Sequence, residues 1–330
     1  MKYTKQTYPI QQLPTGEILS IHAYTFTGSQ KRPKIYLQAN LHGPEIFGTT
    51  LLEKCITYLE SQEDISGSVT IVPTANPIAV QHTSYNALTG RYNPMTGTDW
   101  NRIFKVNSKN IEELGEQKYY TKQAKKHGQT IEDKLANTLR SISAGSSHIL
   151  DIHTAGSNSV PHVFPYAKNW EVFLPLQAEA YLLWDEKNTM GTFDDSHITH
   201  WHEHNPNPPA TCAWEVYHHG KNDLAVCEQR WKQLKTWLES VWEDQEKKET
   251  QPLVYSIQQL HNLPAPIAGY YTWLVKPGTT VKQGEIYASV YQPWHHKTIK
   301  LTHDKDFYLL GNYGIDAMKE GEWIAMIIEL

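Results

Sequence analysis

The sequence predicts an α/β protein with a small all-β region at its C-terminal end. Three observations carry this. Apolar and β-branched runs alternate with amphipathic helical stretches through the first 250 residues, the pattern of strand–helix units. A charged run from Glu243 to Gln251 then ends at Pro252 and marks a boundary, giving residues 1–250 and 251–330. Beyond it, Ala265 to Gly269 and Val275 to Glu285 read as short strands broken by Gly and Pro turns.

In chain order, residues 19–26 and Ile35 to Leu41 read as strands, the second as a buried apolar run. Leu51, Leu52, Cys55, Ile56 and Leu59 recur at three- and four-residue spacing, so Gly48 to Leu59 is expected to be helical. Val69 to Pro73 is a short β-branched strand. Asn76 to Asn101 is dense in Asn, Gly, Pro and Thr, and a loop of that length in a compact domain is often functional. Ile111 to His127 is polar and charged, a surface excursion with some helix, and Ile131 to Ile142 is helical. Ser147 to Ile152 is a strand that ends on His153. Trp231, Leu234, Leu238 and Trp242 form one stripe of a helix from Glu228 to Trp242.

An apolar fraction of 39% and an aromatic fraction of 11% fit a well-packed globular chain of 330 residues. The net charge of −5, with no basic block, disfavours a nucleic-acid surface. The start of the chain has no apolar leader, and no apolar run is long enough to span a membrane. Cys55, Cys212 and Cys227 lack metal-ligand spacing and read as buried thiols of a reducing, cytoplasmic setting. A P-loop, a G-x-G-x-x-G and a G-x-S-x-G are all missing from the sequence, so nucleotide binding and α/β-hydrolase chemistry gain no support.

Chemistry concentrates at two strand ends. His42-Gly43-Pro44-Glu45 follows the run Ile35 to Leu41, and His153 closes the later strand. Two His and one carboxylate are what a catalytic zinc takes, leaving a fourth position for water. Asp151, two residues before His153, shares its face of the strand and either orients the imidazole or is structural. In the long loop, Arg91 and Asp99-Trp100-Asn101-Arg102 offer a guanidinium fork and a neutral amide to a carboxylate, against the plainer reading of a surface Arg bonded to loop carbonyls. Glu215, flanked by Trp214 and Val216, is either salt-bridged or a functional acid/base. The His-rich stretch 197–209 is loop-like, and His218-His219 and His295-His296 are expected to be exposed.

Taken together, Asn40-Leu41-His42-Gly43-Pro44-Glu45, Asn76-Pro77, Asp99-Trp100-Asn101-Arg102, Asp151-Ile152-His153-Thr154 and Glu215 resemble the succinylglutamate desuccinylase/aspartoacylase family, which belongs with the zinc carboxypeptidases. The resemblance implies a mixed β-sheet flanked by helices with a small C-terminal β domain. It implies one Zn2+ per chain on His42, Glu45 and His153, with Glu215 as general base toward metal-activated water. It further implies that Arg91 polarises the scissile carbonyl and that Asn101 and Arg102 hold the substrate carboxylate. The expected activity is hydrolysis of an amide bond in a small carboxylate-bearing substrate, of the N-acyl amino acid deacylase type. A metallocarboxypeptidase acting on peptides and a non-catalytic binding module are the alternatives. Trp100 stands where the family usually has Leu, and should still pack as an apolar anchor. The turns around Ala265 and Val281 are similar to the barrel-sandwich shape of lipoyl and biotinyl modules, without the lysine tetrapeptide that carries their modification. No membrane or nucleic-acid partner is expected, and a homo-oligomer is left open.

Overall fold

The computed structural model of the protein describes residues 1–106, 108–185, 189–198, 208–243, 252–313 and 317–330. Its centre is a nine-stranded mixed sheet in the order Lys2–Gln12, Ile18–Thr27, Ser68–Val72, Lys34–Ala39, His148–His153, Ala210–Glu215, His162–Pro165, Ala180–Leu183, Leu253–Ser256. The four strands from Ser68–Val72 to Ala210–Glu215 run parallel. Their carboxyl ends therefore open on one edge of the sheet, where open α/β sheets bind ligands.

Strand periodicity decides which face each side chain joins. Ile35, Leu37, Ala39, Leu150 and Ile152 point into a core closed by the helices Phe47–Glu60 and Leu224–Glu243. Tyr36 and Ile149 point to the other face, which Leu135 and Leu139 of the helix Ile131–Ser143 cover. Asp151 and His153, at even spacing from Ile149, lie on that second face. Leu51, Leu52, Cys55 and Leu59 are buried as their spacing requires, and Gly48 is close-packed. A Cβ there would come within 2.7 Å of Ala39 and 2.9 Å of Ile152. All three cysteines are buried and free. No helix among the described residues is long and apolar enough to cross a membrane.

The sequence reading and the structure differ in places. The strand expected to run to Leu41 stops at Ala39, because Asn40 takes a left-handed backbone (φ 59°) that starts the turn into His42. Lys2–Gln12 forms an edge strand that the sequence reading did not name. Ile10 alone of its residues is buried, so it lacks the apolar alternation that marks a strand. The polar stretch after Val106 folds into two helices, Ser108–Leu114 and Glu116–Ala124. Leu253–Ser256, just past the expected boundary, adds to the edge of the main sheet beside Ala180–Leu183. The charged run 244–251 lies outside the described residues, as do 199–207 of the His-rich stretch.

From Leu260 onward the chain forms two antiparallel sheets. One holds Leu260–Pro264, Trp323–Glu329, Phe307–Asn312 and Thr280–Val281; the other Lys297–Thr302, Ile286–Gln292, Gly269–Trp273 and Ala317–Met318. They share a core of Leu263, Tyr271, Val290, Phe307 and Ile327. Gly311 and Asn312 pair with Ser159 and Asn158, which ties this β region to the loop just after His153.

One buried group gives the fold a pH dependence. His162 is fully buried; its Nδ1 lies 2.8 Å from the Val160 carbonyl, and its Nε2 finds no partner among the described residues. The carbonyl can only accept, so Nδ1 carries the proton, Nε2 stays bare, and burial pushes the imidazole down to about 4. A pKa lower in the folded than in the unfolded chain means the unfolded state takes the proton first as pH falls. The contribution to stability is complete above about pH 6.5 and is lost between there and about pH 4, roughly 3 kcal/mol in all. Urea unfolding of wild type and His162→Phe at pH 7 and pH 4.5 checks this. Wild type should lose more stability over that interval than the variant, and parallel losses would exclude His162 as the cause.

Candidate active site

His42, Glu45 and His153 meet beyond the ends of two neighbouring parallel strands. Each is almost fully buried, and one donor atom from each lies within 4.8 Å of the others. His42 Nδ1 is 2.7 Å from Glu45 Oε1, and His153 Nδ1 is 2.7 Å from Glu45 Oε2, so both imidazoles turn the same nitrogen inward. Each outward nitrogen faces a carboxylate. His42 Nε2 is 2.9 Å from Asp99 Oδ1, and His153 Nε2 is 2.8 Å from Asp151 Oδ2, the latter in a contact too bent for a regular hydrogen bond. Burial alone would lower both imidazoles and raise Glu45. The opposite charges override it, raising His42 and His153 and holding the Glu45 carboxyl well below its ordinary value. Two imidazoles and a carboxylate, each imidazole backed by a second carboxylate, are a donor set that can hold a metal ion and that suits zinc.

The loop carrying His42 and Glu45 is built by side-chain amides. Asn40 Nδ2 donates to the carbonyls of His42 (2.8 Å) and Gly43 (3.3 Å). Asn76 Nδ2 donates to the Leu41 carbonyl, while its Oδ1 accepts from the amides of Ile78 and Ala79, each bond 3.1 Å. Gly43 donates its N–H to the Gly90 carbonyl at 2.9 Å. Neither glycine has room for a side chain: a Cβ on Gly90 would sit 1.9 Å from the Ala79 carbonyl oxygen, and one on Gly43 2.4 Å from it. That close approach brings Arg91 to the site. Its Nη1 is 3.5 Å from Glu45 Oε1, and its Nη2 is 3.3 Å from Asp99 Oδ2. Burial would raise Asp99, but the bond to His42 and the charges of His42 and Arg91 bring it to about 2.

Glu215 ends the next parallel strand, in register with His153. It is partly covered, and its Oε2 is buried with no hydrogen-bond partner among the described residues. Burial pushes the carboxyl up to about 7, against the pull of His153, Arg91 and His42 and with the help of Glu45. A carboxylate in that range, next to a candidate metal centre and with an oxygen unused, is suited to exchange protons near neutral pH.

Residues 31–180 match the family model of the Succinylglutamate desuccinylase/Aspartoacylase catalytic domain. Over that stretch, which is under half of its length, the chain is similar to that catalytic domain. No curated protein matches it in sequence. Solved structures give the fold over nearly the whole length. A protein assigned to the family from Shewanella amazonensis SB2B superposes with a TM-score of 0.88 at 20% identity, over 98% of each chain. Another, from Shewanella frigidimarina NCIMB 400, gives 0.86 at 20% identity, over 99% of this chain and 97% of that one. The product-bound ectoine utilization protein EutE (DoeB) of Ruegeria pomeroyi gives 0.74 at 15% identity, covering 99% and 95%. At such identities the likeness speaks for the shared fold.

The remaining residues singled out in the sequence lie around the same centre. Asp99 caps the short turn Trp100–Arg102 by accepting from the Asn101 amide at 2.8 Å. Trp100 is fully buried against the core that includes Leu41 and Val72, the anchoring role its apolar character suggested. Asn101 is buried; its Oδ1 accepts from the Phe193 amide at 2.8 Å, and its Nδ2 approaches His153 Nε2 at 3.5 Å. Arg102 is exposed, with Nη1 donating to the Asn101 carbonyl at 2.7 Å.

Three neighbours escaped the sequence reading. Asp99 belongs to the predicted loop, but its contact with His42 has no signal in the chain. His219, expected to be exposed, is half-buried, with Nδ1 at 2.7 Å from Thr154 Oγ1 beside the Glu45 carboxylate. Tyr313, from the C-terminal β region, feels both Arg91 and Glu215, while burial pushes its phenol to about 12. His197 is buried and bonded to Ser143 Oγ (2.8 Å) and the Phe193 carbonyl (2.8 Å), which is a packing role.

Proposed function

We propose that the chain is a zinc-dependent hydrolase that cleaves the amide bond of a small carboxylate-bearing substrate, in the manner of an N-acyl amino acid deacylase. One observation carries this reading: the buried His42–Glu45–His153 donor set shares a strand-end edge with Glu215, whose Oε2 is unused. The match of residues 31–180 to the desuccinylase/aspartoacylase catalytic domain supports hydrolysis as the reaction class.

His42, Glu45 and His153 would hold the zinc, which when bound supplies Lewis acidity at a carbonyl oxygen and makes water more acidic. Glu215 accepts the proton of the attacking water and hands it to the leaving amine, roles that need a pKa near neutrality. Arg91, already directed at Glu45 and Asp99, stabilises the negative charge that develops on the former carbonyl oxygen. Arg102 keeps guanidinium donors beyond the one given to the Asn101 carbonyl, and with the Asn101 amide it anchors the substrate carboxylate. In this reading residues 1–250 do the chemistry, and residues 251–330 add the last strand of the main sheet and a β unit that brings Tyr313 near Arg91 and Glu215. The free, buried cysteines fit a cytoplasmic setting.

A panel of N-acetyl and N-succinyl amino acids set against short peptides tests the substrate class. The expected result is release of the amine from N-acyl amino acids. Selective removal of C-terminal residues from peptides would make the chain a carboxypeptidase, and failure to turn over either set would leave a binding module.

A further inference from the structure

Two buried polar residues, Tyr36 and Gln38, stand behind Asp151. Tyr36 and Gln38 lie on the strand Lys34–Ala39, and Gln38 is the register partner of Asp151 on the strand His148–His153. All three side chains are fully buried. The Tyr36 hydroxyl donates to Gln38 Oε1 at 2.9 Å, Gln38 Nε2 donates to Asp151 Oδ1 at 3.0 Å, and Asp151 Oδ2 lies 2.8 Å from His153 Nε2. We propose that Tyr36 and Gln38 are positioning residues that fix which nitrogen of His153 is offered to the metal. This rests on the zinc reading given under Proposed function.

The direction of the chain follows from donor and acceptor chemistry. A buried phenol with one proton needs an acceptor, and burial and the Asp151 charge keep Tyr36 protonated. It therefore takes the Gln38 carbonyl oxygen, which turns the amide nitrogen toward Asp151. The reversed amide would set Gln38 Oε1 against a carboxylate oxygen, two acceptors 3.0 Å apart in a dry interior. With Oδ1 so occupied, Asp151 is fixed in place and presents Oδ2 to His153 Nε2. Asn101 Nδ2, at 3.5 Å from the same nitrogen, is a donor and cannot take its proton. With a metal on Nδ1 the ring keeps its proton on Nε2, and Asp151 Oδ2 is the acceptor held nearest to it. Outer contacts of this kind set ligand tautomer and basicity, and losing one typically costs roughly 10- to 100-fold in metal affinity.

The test is zinc affinity by competition with a chromophoric chelator for wild type, Gln38→Met and Tyr36→Phe, with thermal melts of the metal-free proteins alongside. Gln38→Met should weaken zinc binding by roughly 10- to 100-fold. Tyr36→Phe, which leaves the amide free to turn, should weaken it less and in the same direction. A Gln38→Met protein that failed to fold would leave the decision with Tyr36→Phe, whose phenyl ring fills the same space. If the folded variants bind zinc as tightly as wild type while their melting temperatures fall, the chain is only structural and the inference is overturned. Wild type that binds no zinc would overturn the metal reading and this inference with it, a result distinguishable from tight binding by all three proteins.

Discussion

Glu215→Gln should lower kcat for an N-acyl amino acid by roughly 10²- to 10⁴-fold, the span that removal of a general acid/base usually covers. The side chain keeps its size and its place at the end of the strand Ala210–Glu215, so the neighbouring His153 is not displaced. What is lost is the ability to take a proton from water and return it to the amine. Because Glu215 lies outside the donor set of His42, Glu45 and His153, metal content should remain near that of wild type. KM should change little, since Arg102 and Asn101 are untouched. Steady-state kinetics and metal analysis of the same preparation check both parts. Preserved turnover in the variant would remove Glu215 from the mechanism, while loss of metal would mean that it holds the ion rather than moves protons.

Replacing an inner donor should have the reverse signature. His153→Gln retains a polar side chain facing Asp151 but removes the inward imidazole nitrogen that lies 2.7 Å from Glu45. Zinc affinity should fall by well over the roughly 10- to 100-fold typical of outer contacts, and activity should fall with it. Excess zinc should restore turnover in part, which it cannot do for Glu215→Gln. The variant also leaves the Asp151 and Glu45 carboxylates buried without their cationic neighbour, so a lower melting temperature accompanies the change. Circular dichroism at a temperature where it remains folded separates the two effects. Stoichiometric zinc retained by folded His153→Gln would contradict the assigned donor set.

Much of the site was legible in the chain because its chemistry is local. His42 and Glu45 are three residues apart in one turn, and His153 closes a strand whose alternation is plain in Leu150, Asp151 and Ile152. The helix Phe47–Glu60 announced itself through the spacing of Leu51, Leu52, Cys55 and Leu59. What was not legible depends on contacts between distant segments. Gln38 meets Asp151 across 113 residues, and Asp99 meets His42 across 57, so neither pairing leaves a mark on the local pattern. His219 is four residues past Glu215 in a stretch that reads as polar surface, yet Thr154 holds it beside the site. The edge strand Lys2–Gln12 buries Ile10 alone and owes its existence to pairing with Ile18–Thr27, which no alternation of its own reveals.

Hydrolysis should require a single zinc held by His42, Glu45 and His153. The most direct test of this requirement is to strip the protein with a chelator and titrate zinc back while following turnover of an N-acyl amino acid. Activity should be absent at the start, rise in proportion to added zinc and level off at about one ion per chain, the capacity of one three-donor site. Full activity in the stripped protein would exclude a zinc requirement.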